Sequence, residues 1–479
     1  MASSRTMALA MLIISSFFFS SYASSDDFLR CLSASIPNNL LLTQSSPSFA
    51  SVLASFAKNL RFLTPATVSP LCIVTATNAS HVQAAVVCGR RHDLRLRVRS
   101  GGHDYEGLSY RSAHADAAPF AVVDLAGLRS VRVTRGTPAT ACVDSGATLG
   151  ELYHAIGKVS DLLAFPAGLC TTVGVGGHLS GGGFGMLMRR HGLAADQVVD
   201  ALLVNAEGRI LNNNAMGRDI FWAIRGGSGG GSFGIVLSWR VNLVAVPPKL
   251  TAFSVAKSVQ EGAVDIITKW QEVAPALPND LLVPVTPQWT TSLSGPSPGT
   301  PSATRPRPTT SDKPFLGIYG AQIFTSWLAK PNAGQMILDP YGGEMAGVSE
   351  SETPFPHRGG VLYNVKYTNF WNGTDEEAAR MGWVWDLYAF MQPHVSSNPR
   401  EAYANYRDLW LGENAVGGNV TSFEAGRVWG EKYYKGNFRR LAMAKAQIDP
   451  NDYFRNEQSI PPFGNQLIST TVARVNRTD

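Results

Sequence analysis

The sequence predicts an α+β fold in two parts, and three observations carry that expectation. Between Leu71 and Val246 short apolar runs alternate with stretches of helical spacing. Three glycine-rich loops punctuate the same region, at 99–107, 166–185 and 224–234. Beyond Pro247-Pro248 strand and helix patterns resume, interrupted by a stretch rich in Pro, Ser and Thr. At 479 residues the chain is long enough for two or three domains with buried cores.

Taken in order, "LCIVTA" reads as a strand and "ASHVQAAVVCGRRH" as a helix. "LRLRVRS" alternates, with Leu94, Leu96 and Val98 on one face and Arg95, Arg97 and Arg99 on the other. Strands are expected at 120–124, 131–134 and 140–144, a helix from Thr148 to about Val159, a strand at 198–204 and a helix at 218–224. A long strand in "SFGIVLSWRVNLVAV" closes the first part. The second part opens with a strand near Leu250 and a helix near 263–274. Residues 294–314, "SGPSPGTPSATRPRPTTSDKP", have a composition that cannot pack a core and read as a mobile loop. Strands follow at 315–324, 336–338 and 362–370, then a helix in "TDEEAARMGWVWDLYAFM" with Thr374 and Glu377 as a capping box. Helices near 422–434 and 438–448 complete the pattern.

The opening stretch, "MASSRTMALAMLIISSFFFSSYASS", has one Arg, an apolar run and a small-x-small end, the layout of a cleaved signal peptide over residues 1–23. No other run is long enough to span a bilayer. Four sequons, at Asn78, Asn372, Asn419 and Asn476, fit export to the extracellular space, cell wall or vacuole. The five cysteines are Cys31, Cys72, Cys88, Cys142 and Cys170, so intramolecular pairing leaves at least one over. A net charge of +5 on so long a chain gives no nucleic-acid signal. No metal site is expected.

The chemistry concentrates in the glycine loops. "RSGGHDYEG" ends a strand in Ser-Gly-Gly, offering a tight curve of backbone N–H groups, yet matches neither a Walker loop nor the Gly-x-Gly-x-x-Gly spacing. "VGVGGHLSGGGFG" holds more glycines than any helix or strand tolerates, and Cys170 precedes it. Two loops that each carry one nucleophile, His103 and Cys170, predict a large flat diphosphate-bearing cofactor held from two sides, a flavin or a nucleotide.

The runs "RVRSGGHDYEGLSYRS", "GLCTTVGVGGHLSGGGFG", "GRDIFWAIRGG", "ESETPFPHRGGVLYNVKY" and "YFRNEQSIPP" make the chain resemble the plant berberine bridge enzyme-like family of FAD-linked oxidases. The resemblance runs from about Asp26 to Pro462. It implies an FAD-binding domain of the vanillyl-alcohol-oxidase/PCMH type over 66–246, preceded by an N-terminal segment, 24–65. An α+β substrate domain, an antiparallel sheet covered by helices, would occupy 247–430. A C-terminal segment, 431–466, would return to the FAD domain, leaving a tail at 467–479. Family members carry several tens more residues between Gly317 and "MILDPYGG", so the substrate domain is shortened here.

The resemblance further implies two covalent links to FAD, from His103 to the 8α carbon and from Cys170 to C6. The remaining cofactor contacts fall on Arg99, Ser100, Gly101, Gly102, Asp104 and Ser109 in the first loop, and on Asn456 near the C-terminus. In the second loop they are Gly168, Val173, Gly174, Gly176, Gly177, His178, Ser180, Gly181 and Gly183. Cys31 pairs with Cys88 in the family, and Cys72 and Cys142 read as small buried hydrophobes. The base would be Tyr406 of "NYRD", helped by Asn364 and Lys366 on one face of a strand and by Tyr105. Where relatives place a second tyrosine in the glycine loop, this chain has Phe184. Val173 matches the position that controls oxygen access, and valine there accompanies oxidases.

The expected reaction is hydride transfer from an alcohol to flavin with O2 as oxidant, in a monomer. The first expected substrate is the anomeric hydroxyl of a mono- or oligosaccharide, and the second a monolignol-type allylic alcohol. A flavin-binding glycoprotein that has lost catalysis is the alternative of another class.

Overall fold

The protein is described here by a computed structural model covering residues 25–464, apart from 56, 65, 115–117, 289–302, 315–321, 372–374 and 418–419. The proposed signal peptide and the sequons at Asn372, Asn419 and Asn476 lie outside the described residues. Among the described residues no helix is long and apolar enough to cross a membrane.

The first sheet contains β1 (Leu41–Thr43), β2 (Cys72–Thr75), β3 (Arg95–Arg99) and β4 (Phe120–Asp124) in the order β1-β2-β4-β3. β2, β4 and β3 are parallel, and helix Ala79–Arg91 makes the crossover from β2 to β3. That helix begins where Asn78 accepts the His81 amide N–H and satisfies one of the first-turn donors. Its Cys88 is bonded to Cys31, fastening the N-terminal segment to the sheet.

A second, antiparallel sheet is built from β5 (Val131–Thr134), β6 (Thr140–Asp144), β8 (Val198–Val204), β9 (Ile210–Leu211) and β10 (Ile235–Asn242). Its order is β5-β6-β10-β8-β9, and the short pair β7 (Leu163–Ala164) and β11 (Val244–Ala245) lies outside it. Helix Leu149–Val159 starts in a capping box between Thr148 and Glu151. The largest core cluster joins this sheet to helices Phe423–Tyr434 and Asn437–Ile448, so the C-terminal segment packs on the cofactor half.

The third sheet has β12 (Ala303–Ser311), β13 (Gln335–Pro340) and β14 (Tyr363–Trp371) in the antiparallel order β12-β14-β13. Met336, Leu338, Tyr363, Val365 and Tyr367 turn one face into a core with helices Ala263–Val273 and Glu377–Phe390. The opposite face of β13 and β14 looks towards the first two sheets.

β12 overturns part of the expected mobile loop: residues 303–311 form a strand despite Pro306 and Pro308. As an edge strand, β12 needs no ladder hydrogen bonds on its outer side, where proline is tolerated. Tertiary charge pairing then outweighs composition. Arg305 reaches Glu106 and Asp408 at 3.0 Å each, and Arg307 reaches Asp408 at 2.6 Å. Their guanidinium groups also stack over Trp410 and Tyr388, respectively.

Other expectations change as well. No strand forms near Leu250, where Leu250, Phe253 and Val255 stay exposed. Residues 315–321 lie outside the described residues, and Ile323–Trp327 is a helical turn rather than a strand. Helix Glu377–Phe390 is preceded by Glu376 without a side-chain cap, and Thr374 lies outside the described residues. Cys72 is buried as expected, but Cys142 is exposed, because it sits on the outward face of β6.

Candidate active site

β3 delivers the first glycine loop. Its arginines are a brace rather than a solvent face: Arg99 is fully buried, pairs with Asp124 at 2.6 Å, and donates to the Val52 and Leu53 carbonyls. Arg99 therefore does not line the cavity expected for the cofactor, contrary to the sequence expectation. Arg97 holds Glu457 of the C-terminal segment in two hydrogen bonds, 2.7 and 3.1 Å.

The second glycine loop packs on the first backbone to backbone. A Cβ on Gly174 would overlap the Ser100 hydroxyl and the Gly101 amide, and one on Gly101 would overlap Gly174. This contact requires glycine on both sides, and it fixes the relative position of the two loops. Gly181 packs against Asn405, while Gly183, with a left-handed φ of 74°, packs against His178. Neither lines the cavity, so both act by local fit rather than by the expected cofactor contact.

Between the loops and the inner face of β13 and β14 lies a cavity of about 690 Å³. Ser100, Gly101, Gly102, His103, Asp104 and Ser109 line it from the first loop. Gly168, Cys170, Val173, Gly174, Gly176, Gly177, His178 and Ser180 line it from the second, and Asn456 closes it from the C-terminal segment. His103 Nε2 and the Cys170 thiol meet the same hydroxyl, Thr172 Oγ1, at 2.9 and 3.5 Å. Sequence reasoning missed Thr172; its place two residues after Cys170 was the available signal. Burial, with the Lys58 charge assisting, lowers the His103 imidazole to about 4 against the Thr172 contact, so it is neutral at physiological pH.

A flavin dinucleotide fits these residues. The Ser109 hydroxyl is buried with no partner among the described residues, and Gly177 faces open space where a Cβ would protrude. Both are features of a wall shaped for a bound group.

The remaining wall is the substrate side. Tyr406, Tyr105 and Lys366 all line the cavity. Lys366 Nζ lies 4.6 Å from the centre of the Tyr406 ring, and Tyr105 meets that ring edge-on at 5.9 Å. Phe184 occupies the space of the missing tyrosine, packed against Tyr341, Tyr403 and Tyr406. Arg407 and Asp104, 3.0 Å apart, tie the Tyr406 loop to the His103 loop. Asn364 is fully buried and does not line the cavity, although it shares a strand face with Lys366. Burial raises the Tyr406 phenol well above its usual range, and the Asp339 carboxylate and Tyr105 push the same way.

Asp339 is the second residue missed. It lines the cavity from β13, and its strand pattern, apolar Met336 and Leu338 alternating with Ile337 and Asp339, reads equally as a solvent-facing strand. Leu282, Pro284 and Ile337 add an apolar patch to the same wall.

Comparison with known proteins gives this site a family. Residues 70–214 match the FAD binding domain family and residues 402–461 the family described as berberine and berberine like. Berberine bridge enzyme-like Cyn d 4 of Cynodon dactylon is 52% identical over 91% of this chain and 93% of its own length. Monolignol oxidoreductase AtBBE-like 13 of Arabidopsis thaliana is 39% identical over 91% and 93%. Among solved structures, Phl p 4, a grass pollen allergen with glucose dehydrogenase activity, superposes with a TM-score of 0.87 at 48% identity, over 91% of this chain and 99% of that one. A Phl p 4 variant with one isoleucine changed to valine is described as a glucose oxidase, with a TM-score of 0.86, 48% identity and the same coverage. With its FAD-binding fold and site walls in this arrangement, the chain belongs to the berberine bridge enzyme-like family of FAD-linked oxidoreductases.

Proposed function

We propose that the protein is an exported sugar oxidase that holds FAD through both His103 and Cys170 and oxidises the anomeric hydroxyl of a mono- or oligosaccharide. The observation that carries this reading is a single cavity: it collects the two nucleophiles on one wall and Tyr105, Lys366, Asp339 and Tyr406 on the other. When bound, the flavin supplies the two-electron acceptor and the route of those electrons to O2, giving H2O2.

The chain's own residues supply the rest. A neutral His103 keeps the lone pair that attachment needs, and Thr172 orients it next to Cys170. Ser109, Gly177 and Asn456 line the bed for the cofactor. Tyr105 and Tyr406 offer hydroxyls, Lys366 a donor and Asp339 an acceptor, a set suited to a polyhydroxylated ring. Val173 keeps the wall beside Cys170 small, which fits oxygen access.

A second reading, oxidation of a monolignol-type alcohol, is favoured by the apolar patch of Leu282, Pro284 and Ile337 and by the monolignol oxidoreductase among the relatives. A panel of glucose, cello-oligosaccharides and cinnamyl alcohols, read by peroxide formation, tests both readings. Peroxide from sugars supports the first, and peroxide from the aromatic alcohols alone replaces it with the second. Anaerobic flavin bleaching without peroxide makes the protein a dehydrogenase, and neither bleaching nor peroxide from any of them, with flavin attached, leaves a cofactor-binding glycoprotein without this chemistry. Residues 1–23 as signal peptide, a monomeric state and glycosylation at the exposed Asn78 belong to the same reading, and mass spectrometry of the secreted protein checks cleavage and glycan together.

A further inference from the structure

We propose that a buried row of polar side chains behind the substrate wall, running from Asp339 through Asn364 and Thr310 to Glu401 and His357, is a water-filled proton path between the cavity and the surface. The inference rests on the reading that the site oxidises an alcohol. It gives Asn364, which does not line the cavity, a part in the reaction.

The row follows from strand register. Asn364 on β14 lies opposite Asp339 on β13 and opposite Thr310 on β12, so the three side chains cross the sheet side by side on one face. Asp339 lines the cavity, and the buried Asn364 and Thr310 carry the row away from it. The Thr310 hydroxyl donates to Glu401 Oε2 at 3.1 Å, and Nδ1 of the buried His357 meets the same oxygen at 2.8 Å. Lys435 lies 3.4 Å from the other Glu401 oxygen and 2.8 Å from the exposed Glu350. One end of the row opens into the site and the other reaches solvent.

The polar atoms along the row are unfinished. Neither amide atom of Asn364 has a hydrogen-bond partner among the described residues, and the same holds for Asp339 Oδ2, Tyr341 Oη and His357 Nε2. Burial raises the Tyr341 phenol well above its usual range, and Tyr403, Asp339 and Glu401 push the same way, so Tyr341 is within reach of both ends. Unpaired polar atoms gathered between two carboxylates are the setting in which internal water binds and bridges. An imidazole can take a proton on one nitrogen and release one from the other, which suits His357 to the inner end of such a file. Burial opposes ionisation of Glu401, but the His357 hydrogen bond, with Lys435 and Thr310, holds its carboxyl at about 2, so it anchors the file as a fixed charge.

The cavity of about 690 Å³ has to hold a flavin dinucleotide and an alcohol together, which leaves little bulk water at the reacting carbon. The C–H bond of the carbinol breaks with its electron pair leaving as hydride to the flavin. The O–H bond breaks, the carbonyl forms, and whichever wall group first receives the proton must release it before the next turnover. Along the row that proton passes to solvent. O2 then takes the electron pair, the transferred hydrogen and one proton from solvent to give H2O2. One proton leaves and one returns per turnover.

Two measurements decide the proposal. The first needs no activity: a high-resolution crystal structure of the flavin-loaded protein should show ordered waters joining Asn364, Tyr341 Oη and His357 Nε2, and a dry row overturns the path. The second is anaerobic flavin bleaching by glucose. Asn364→Leu, close in size, and His357→Ala should each slow it at least about tenfold and raise its solvent deuterium isotope effect, with half-saturating glucose unchanged. Added imidazole should restore part of the rate in His357→Ala. Covalent flavin content equal to wild type shows that each variant has folded. Slowing with neither a larger isotope effect nor rescue assigns these residues a structural role and overturns the proposal. A wild type that no alcohol bleaches sinks the oxidase reading and the path with it, whereas wild-type bleaching that neither variant slows sinks the path alone.

Discussion

The two walls of the cavity are made differently. The cofactor wall is backbone held against backbone, with Gly101 and Gly174 leaving no space for one added atom and buried ion pairs anchoring its strands. The substrate wall is side chains projecting from β13 and β14 into open volume, with polar atoms left without partners among the described residues. A wall of backbone fixes one ligand shape and resists change, whereas a wall of side chains can be respecified residue by residue while the strands beneath keep their core face.

The largest expected contrast is covalent. Changing both His103 and Cys170 to Ala should remove all flavin that survives denaturation, while either single change keeps it attached through the other residue, as read by in-gel fluorescence. Retained fluorescence in the double variant would mean that neither side chain is the anchor.

Next comes the pairing behind the cofactor wall. The Arg97 charge, with its hydrogen bonds, holds the Glu457 carboxyl at about 2 against the opposing effect of burial. A depressed carboxyl stabilises the fold above its unfolded pKa, near 4.5, and loses that contribution as pH falls towards 2. The contribution is roughly 3 kcal/mol at neutral pH. Glu457→Gln should lower stability at pH 7 and flatten its acid dependence between those limits, measured by chemical denaturation. A mutant curve parallel to wild type would show that the pair contributes nothing.

Gly174→Ala should cost about 1–3 kcal/mol, since the new methyl has only Ser100 and the Gly101 backbone to displace. The thermal midpoint and flavin content should fall together. An unchanged midpoint would show that the loops separate easily, and the contrast between the walls would then fail.

The smallest effect on stability belongs to the substrate wall. Lys366→Met should leave the thermal midpoint and flavin content nearly unchanged while lowering turnover. Losing the cation raises the acid group of the site, so the acid limb of the pH–rate profile should move up by about one unit. An unmoved limb would mean that Lys366 does not act on the ionising group.

The cofactor loops were legible in the sequence because their chemistry is written in the residue types themselves. Glycine runs with a nucleophile beside each admit few structures, although Val175–Ser180 forms a short helix through the second run, against the expectation that its glycines exclude one. Arg99 shows the limit of that legibility: the resemblance implied a ligand contact, and Arg97 on the same strand face does line the cavity, but the Arg99 side chain is held by Asp124 and the Val52 and Leu53 carbonyls. The strand at Ala303–Ser311 was illegible for the opposite reason. Its composition is that of a loop, and its partners Glu106 and Asp408 lie 199 and 103 residues from Arg305.

The sequence by itself determined the α+β elements of the cofactor half, the two nucleophilic glycine loops and the family, because local periodicity, backbone freedom and side-chain reactivity are properties of short stretches. Only the tertiary structure decided that Thr172 sits between His103 and Cys170, that Lys366 lies on the face of Tyr406, and that Asp339 points into the cavity. An amphipathic strand has the same sequence pattern whether its polar face meets water or a ligand, and the packing of distant segments settles which it is.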